Sequence, residues 1–172
     1  MTFPELVVVI VIISLFVLLA QLNLFGLLGR SKFKAQVQDF VSTLRMAATS
    51  AAQGDRRYEI IIDITEQSYL LREITSPDLS EVLEEEIISS NYFAETCRVV
   101  YVEFDDGDFT NEGKAKFRAG RAGWQYGGKI VFSDEKEQYY SVVVNRLNRM
   151  VVLQQGDVGL LKPKGQADIP WL

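Results

Sequence analysis

The head of the chain is apolar almost without interruption. From Leu6 to Gly29 it reads LVVVIVIISLFVLLAQLNLFGLLG and carries no formal charge. Leu, Val, Ile and Phe fall on every side of a helix, so this stretch is expected to be buried all round, in lipid or in protein. Pro4 is tolerated only near a helix start, which places the beginning at about residue 3 to 5. The run is about 24 residues long, and a membrane-spanning helix needs about 20. A secretory signal peptide fits poorly: no basic residue precedes the run, the run is too long, and no small-x-small cleavage site follows.

The pattern then narrows to a stripe. Phe33, Val37, Phe40, Val41, Leu44, Ala47, Ala48 and Ala51 recur at spacings of three and four, while Lys32, Lys34, Gln36, Gln38, Asp39, Ser42 and Arg45 fill the other faces. This predicts an amphipathic continuation of the same helix, closed by Gly54 and Asp55. One helix of about 50 residues, roughly 75 Å long, is expected to end near Gln53. Asn23, Gly26 and Gly29 are weak helix formers that mark where it would bend or melt.

Beyond Gly54 the period changes from helical to alternating. Tyr58–Ile64 and Ser68–Ile74, joined by Thr65-Glu66-Gln67, predict a hairpin. Ser76-Pro77-Asp78 resembles a helix start, and Leu79 to Ile88 reads as a short helix or an irregular loop. The charge run at Glu81, Glu84, Glu85 and Glu86 reads as a solvated face. Cys97–Phe104 predicts a strand, a glycine-rich stretch follows, and Lys129–Ser133, Tyr139–Val144 and Arg149–Gln154 predict three more, the last two joined by a turn at Asn145 to Asn148. From Gln155 periodicity is lost, and the tail is expected on the surface, pinned by Trp171. The fold class is therefore α+β. Its parts are an apolar helix segment (1–29), its amphipathic continuation (30–54) and a β-rich globular domain with an extended tail (55–172).

Composition removes several classes of function. The 172 residues suit one domain behind an apolar head. Eighteen basic and 23 acidic residues give a net charge of −5, so the chain has no general affinity for nucleic acid. Histidine is absent, which removes the usual general base and the commonest metal ligand. Cys97 is the only cysteine, so no intrachain disulfide forms. It opens a strand and reads as a small buried residue rather than a nucleophile. With no phosphate loop or nucleophile motif either, a membrane-anchored enzyme is disfavoured.

Glu5 changes the picture of the head. A carboxylate at the edge of such a run is costly unless neutralised, and it marks a functional position. Arg30, Lys32 and Lys34 follow the run and nothing basic precedes it. The chain thus reads either as a cytoplasm-facing anchor protein or as a processed chain that has lost a basic leader.

The residues MTFPELVVVIVIISL, with Glu at the fifth place, resemble the type IV filament superfamily: type IV pilins and the pseudopilins of type II secretion. The body is similar to the H-type minor pseudopilins (GspH/FimT) in RMAATSAAQGD at the helix end, GGKIVF, and the final hairpin VVVNRLNRMVVL. It departs from them in having Asn148-Arg149 where Gly-Arg is usual, Met1 in place of the commoner Phe, and no C-terminal disulfide.

The resemblance implies a pilin-like fold, in which one very long N-terminal helix packs its C-terminal half on an antiparallel β-sheet domain. It implies a non-enzymatic structural subunit, cut by prepilin peptidase and N-methylated at Met1. That subunit polymerises through its helix into a pilus or a secretion pseudopilus. The chain would cross the inner membrane once, N-terminus in, and pass into a periplasmic or extracellular filament. Partners would be other pilin-like subunits, the peptidase and the inner-membrane assembly platform. Met1 and Glu5 would be the assembly residues, the carboxylate pairing with a neighbour's amine and setting axial register. The alternative is a minor or tip subunit that binds a secreted substrate, a surface or DNA.

Two further sets of residues carry candidate chemistry. Asp105, Asp106 and Asp108, with Glu112, offer oxygen ligands for calcium. They lack the EF-hand spacing, and an acidic turn between strands is ordinarily just solvated. No other cofactor is expected. Lys114, Lys116, Arg118, Arg121, Lys129, Arg146 and Arg149, with Phe117, Trp124 and Tyr126, are candidates for a basic aromatic surface. Arg146 and Arg149 are its nucleic-acid candidates, against the net negative charge of the chain.

Overall fold

A computed structural model describes residues 3–76, 82–146 and 148–160, without the side chains of 20–30. Helix α1 (Phe3–Gln53) is followed by β1 (Arg57–Asp63), β2 (Ser68–Ile74), a 3-10 turn (Glu84–Glu86) and β3 (Ile87–Tyr92). Then come β4 (Cys97–Phe104), β5 (Phe109–Thr110), β6 (Lys114–Gly120), β7 (Gly123–Trp124), β8 (Gly128–Asp134), β9 (Tyr139–Val144) and β10 (Val151–Gln155). The strands form two antiparallel sheets, ordered β3-β2-β1-β6-β7 and β10-β9-β8-β4-β5.

Both sheets turn one face to the second part of α1. The eight stripe residues Phe33, Val37, Phe40, Val41, Leu44, Ala47, Ala48 and Ala51 are all buried. Phe40 is the hub: its ring meets Tyr69 of the first sheet edge-on at 4.9 Å and Phe132 of the second at 5.6 Å. Phe104 and Phe117 join the two sheets directly, 4.9 Å apart. Alanines at 47, 48 and 51 keep the last turns slim enough for the strands to come close. Polar bonds fix the helix along its length. Gln36 donates to the carbonyl of Tyr92 and accepts the N–H of Ala94, while Arg45 donates to the carbonyl of Val151 at 2.9 Å.

Alternation sets the sheet faces. Ile60 pairs with Leu71 and Phe117 on the face towards the helix; one residue back, Glu59 pairs with Arg72 and Arg118 on the other. In β4 the alternation slips. Val99 opposes Phe132 and Tyr101 opposes Val131, so Val100 is an extra residue in a bulge. The bulge moves the inward positions from Cys97 and Val99 to Val102, with Phe104 packed against the core, and turns Tyr101 and Glu103 outward.

Several expectations are corrected. The expected pilin-like arrangement, a very long N-terminal helix whose C-terminal half packs on an antiparallel β-sheet domain, is corrected: the described strands divide into two five-stranded sheets. The buried stripe of α1, from Phe33 to Ala51, packs against both of them. One helix stripe is too narrow to cover ten strands, so the sheets also bury each other's apolar faces.

Among the described residues no helix is long and apolar enough to cross a membrane. This overturns the expected single-pass inner-membrane placement and the periplasmic or extracellular destination drawn from it. Side chains in the later part of the expected span, including Asn23, Gly26 and Gly29, lie outside the described residues. So do the helix start at Pro77-Asp78 and the tail with Trp171.

Ile87 and Ile88, read as the end of a helix or loop, open strand β3, and β6 occupies part of the glycine-rich stretch. Glu86 is not on a solvated face: it is 4% exposed and paired with Arg72. Glu81 lies outside the described residues.

Candidate functional site

Three features outside the common core carry charge or exposed apolar surface. The first is the head of α1. Phe3, Leu6, Val7, Val8, Val9 and Ile10 begin a run of exposed large apolar side chains that continues through Leu19. Phe16 is 67% exposed, whereas Phe33 and Phe40 on the packed stretch are at 1% and 0%. Glu5 is exposed in the first turn, where the helix dipole favours a carboxylate. Met1, its expected assembly partner, lies outside the described residues.

The second feature is a row of charges across the first sheet, on the face turned away from α1. Arg72 donates through Nε to Glu59 Oε2 at 2.7 Å and through Nη1 to Glu86 Oε2 at 3.0 Å. Arg118 donates through Nε to Glu59 Oε1 at 2.6 Å. Glu86 Oε1 accepts from the Thr75 hydroxyl at 2.6 Å and from the N–H groups of Thr75 and Ser76. The Thr75 hydroxyl is the main cause that holds the Glu86 carboxyl down to about 2, with the two backbone N–H groups and Arg72 adding to it against burial. The row pairs its charges internally.

A smaller cluster lies on the second sheet. Lys129 bonds Asp157 at 2.6 Å and Glu103 at 3.1 Å and sits 5.2 Å from the centre of the Tyr101 ring, whose hydroxyl also reaches Asp157. Burial opposes the lysine charge, but the bonds to Asp157, Tyr101 and Glu103 outweigh it and raise the Lys129 pKa. The β4 bulge makes this cluster possible by aiming Tyr101 and Glu103 at β8.

The third feature is a cavity of about 710 Å³ where β6 and β7 meet the start of β1. Arg57, Arg118, Arg121 and Arg146 line it with Asp55, over a floor that includes Ile74, Ala119 and Trp124. The indole N–H of Trp124 is buried without a partner among the described residues.

The sequence candidates are thereby sorted. Arg118, Arg121, Arg146 and Trp124 come together at this cavity, joined by Arg57, which the sequence did not single out. Arg149 holds the turn instead: it donates to the carbonyl of Arg121 and lines a separate groove between the end of α1 and β10. Lys114 lies at the far end of β6, 3.8 Å from Asp63, and Lys129 is tied up with Asp157. Phe117 is fully buried. These residues do not form one continuous basic surface.

Asp106 accepts the N–H of Asp108, closing its own turn, while Asp105 lies towards Gly127 and Glu112 sits in the next turn. Among the described residues no group of three or more acidic or cysteine side chains is arranged to hold a metal. Cys97 is buried, and burial pushes its thiol up to about 12. Comparison with family models, with curated proteins and with solved structures finds no match to the chain.

Proposed function

We propose that the chain is a structural subunit that polymerises through the apolar head of α1, as a member of the type IV filament superfamily. The observation that carries this reading is the contrast along one helix. The stripe from Phe33 to Ala51 is covered by the chain's own sheets, while the large apolar side chains from Phe3 to Leu19 are exposed. A head that is apolar on every side calls for cover on every side. Neighbouring heads in a helical bundle supply that cover, whereas one docked partner would cover a stripe. The motif MTFPELVVVIVIISL supports the same reading.

Within it, Glu5 sets the register between heads, because a misaligned neighbour would bury charge without its mate. Met1 is the amine that prepilin peptidase would methylate. The alternative reading, a minor or tip subunit with a binding role, draws on the arginine-lined cavity.

The test is assembly of the full-length chain after removal of detergent, followed by sedimentation and negative-stain microscopy. Filaments are expected from the natural chain and not from Ile10→Asp or Phe16→Asp, whose bodies remain folded by circular dichroism. Glu5→Leu is expected to lose ordered filaments while retaining a folded body. A natural chain that stays dispersed, or an Ile10→Asp chain that assembles normally, overturns the proposal. Intact mass of the native chain checks for one methyl group on Met1.

A further inference from the structure

The arginine-lined cavity points to a ligand, and we propose that it binds a small dianion, either a phosphate monoester or a dicarboxylate. Arg57, Arg121 and Arg146 reach the cavity from three places: the start of β1, the β6–β7 turn and the β9–β10 turn. Among the described residues none of the three makes an ion pair. The chain carries 23 acidic residues against 18 basic ones, so three unneutralised guanidinium groups around one concavity are not the by-product of a basic surface. Among the described residues Asp55 is the only acid on the lining, and Glu59 is already shared between Arg72 and Arg118.

The site is stiff. Arg118 is fixed by its 2.6 Å bond to Glu59. Arg121 and Arg146 sit on turns that are locked together. Arg149 donates to the Arg121 carbonyl, and Asn145 N–H bonds the carbonyl of Met150. Gly123, at φ +127, lets β7 approach so closely that a Cβ there would lie 3.1 Å from the carbonyl oxygen of Arg146. Guanidinium forks that converge on one concavity match the paired oxygens of phosphate or carboxylate.

The apolar floor raises the field of the arginines above its value in open water. A volume of about 710 Å³ falls in the range of small-molecule sites, roughly 300–1,000 Å³, and the floor beside Trp124 suits a flat apolar body. A nucleic-acid strand instead tracks an extended basic groove, and Lys114 and Lys129 are turned away from this cavity.

The experiment is isothermal titration of the full-length chain at low salt with phenyl phosphate and with phthalate, and with benzyl alcohol as the neutral control. At least one dianion is expected to bind and benzyl alcohol not to. Tighter binding of phenyl phosphate assigns a phosphate monoester; tighter binding of phthalate assigns a dicarboxylate. Arg121→Gln and Arg146→Gln are each expected to weaken binding about tenfold, as loss of a charge-assisted bond does. Lys114→Gln, at the far end of β6, is expected to leave it unchanged. The proposal is overturned if neither dianion binds at millimolar concentration, or if the arginine variants bind as the natural chain does. It is also overturned if oligothymidylate binds tightly and neither dianion competes, which would make the cavity part of a strand-binding surface.

Discussion

Arg72 and Glu59 face each other across β2 and β1 with Nη2 and Oε2 2.6 Å apart, and their side chains are only 1% and 0% exposed. The second carboxylate, Glu86, closes on the other side of the same guanidinium at 3.0 Å. Such a row adds little over well-packed apolar residues, but it is costly to break from one side. Arg72→Met leaves Glu86 without its ion-pair partner and Glu59 with Arg118 alone. It is expected to destabilise the body by about 3–5 kcal/mol, read as a lower urea midpoint at unchanged slope. A midpoint within experimental error of the natural chain would remove the row from the account of stability.

Glu86 gives that row a pH signature. Its carboxyl falls from the ordinary 4.5 to about 2 in the folded chain. A depressed carboxylate stabilises the fold above its unfolded pKa, and that contribution fades as pH falls through the folded one. Stability is therefore expected to drop between about pH 4.5 and pH 2. Thr75→Val removes the largest cause of the depression. Its acid transition is expected to be shallower, with a smaller stability difference between pH 6 and pH 3 in urea titrations at the two values.

Lys129 is buried but shared among several partners, so loss of one of them is expected to be moderate. Asp157→Asn removes the charge 2.6 Å away, yet Glu103 remains at 3.1 Å. The Asp157 side chain is 44% exposed, which screens the pair. A loss of about 1 kcal/mol is expected from thermal melts. A loss several times larger would mean that Asp157 holds residues 156–158 as well as the lysine.

Cys97 is expected to ignore a thiol reagent at pH 8 while the chain is folded, because burial raises its thiol to about 12. Labelling is expected to appear with unfolding in urea and to follow the same midpoint as circular dichroism. Rapid labelling in native buffer would show that β4 opens locally.

Phe40 and Phe16 lie on one helix and are expected to behave oppositely. Phe40→Ala empties the junction of Tyr69, Phe93 and Phe132 and is expected to cost about 3–5 kcal/mol. Phe16→Ala is expected to change stability of the body by less than about 0.5 kcal/mol. It should reduce only the sedimentable fraction in assembly assays.

Much of the fold was legible because periodicity reports one buried face. All eight residues of the α1 stripe were read from their spacing, and β4 and β9 match their expected bounds. The polar IISSNY of β3 was not legible, because an exposed edge strand has no apolar alternation to read. The alternation of Ala115, Phe117 and Ala119 in β6 was obscured by the surrounding glycines. The bulge at Val100 hid the outward turn of Tyr101. Charge was the hardest property to place. Glu59, Arg72, Glu86 and Arg118 are far apart in sequence and meet only through the register of β1, β2 and β6. For the cavity, Arg121 and Arg146 were singled out by type, but Arg57 was not, since only the sheet brings β1 beside the β6–β7 turn.

The bond from Arg45 to the carbonyl of Val151 also bears on the order in which the molecule is made. It spans 106 positions of sequence, and β10 packs on the helix beside it. The helix leaves the ribosome before the strands, and its stripe is not fully covered until β10 has been synthesised. During that interval both the stripe and the head are open to other chains. Contacts of such long range slow folding and lengthen the exposure. A nascent chain of this design therefore depends on being shielded early, before the strand that completes its core exists.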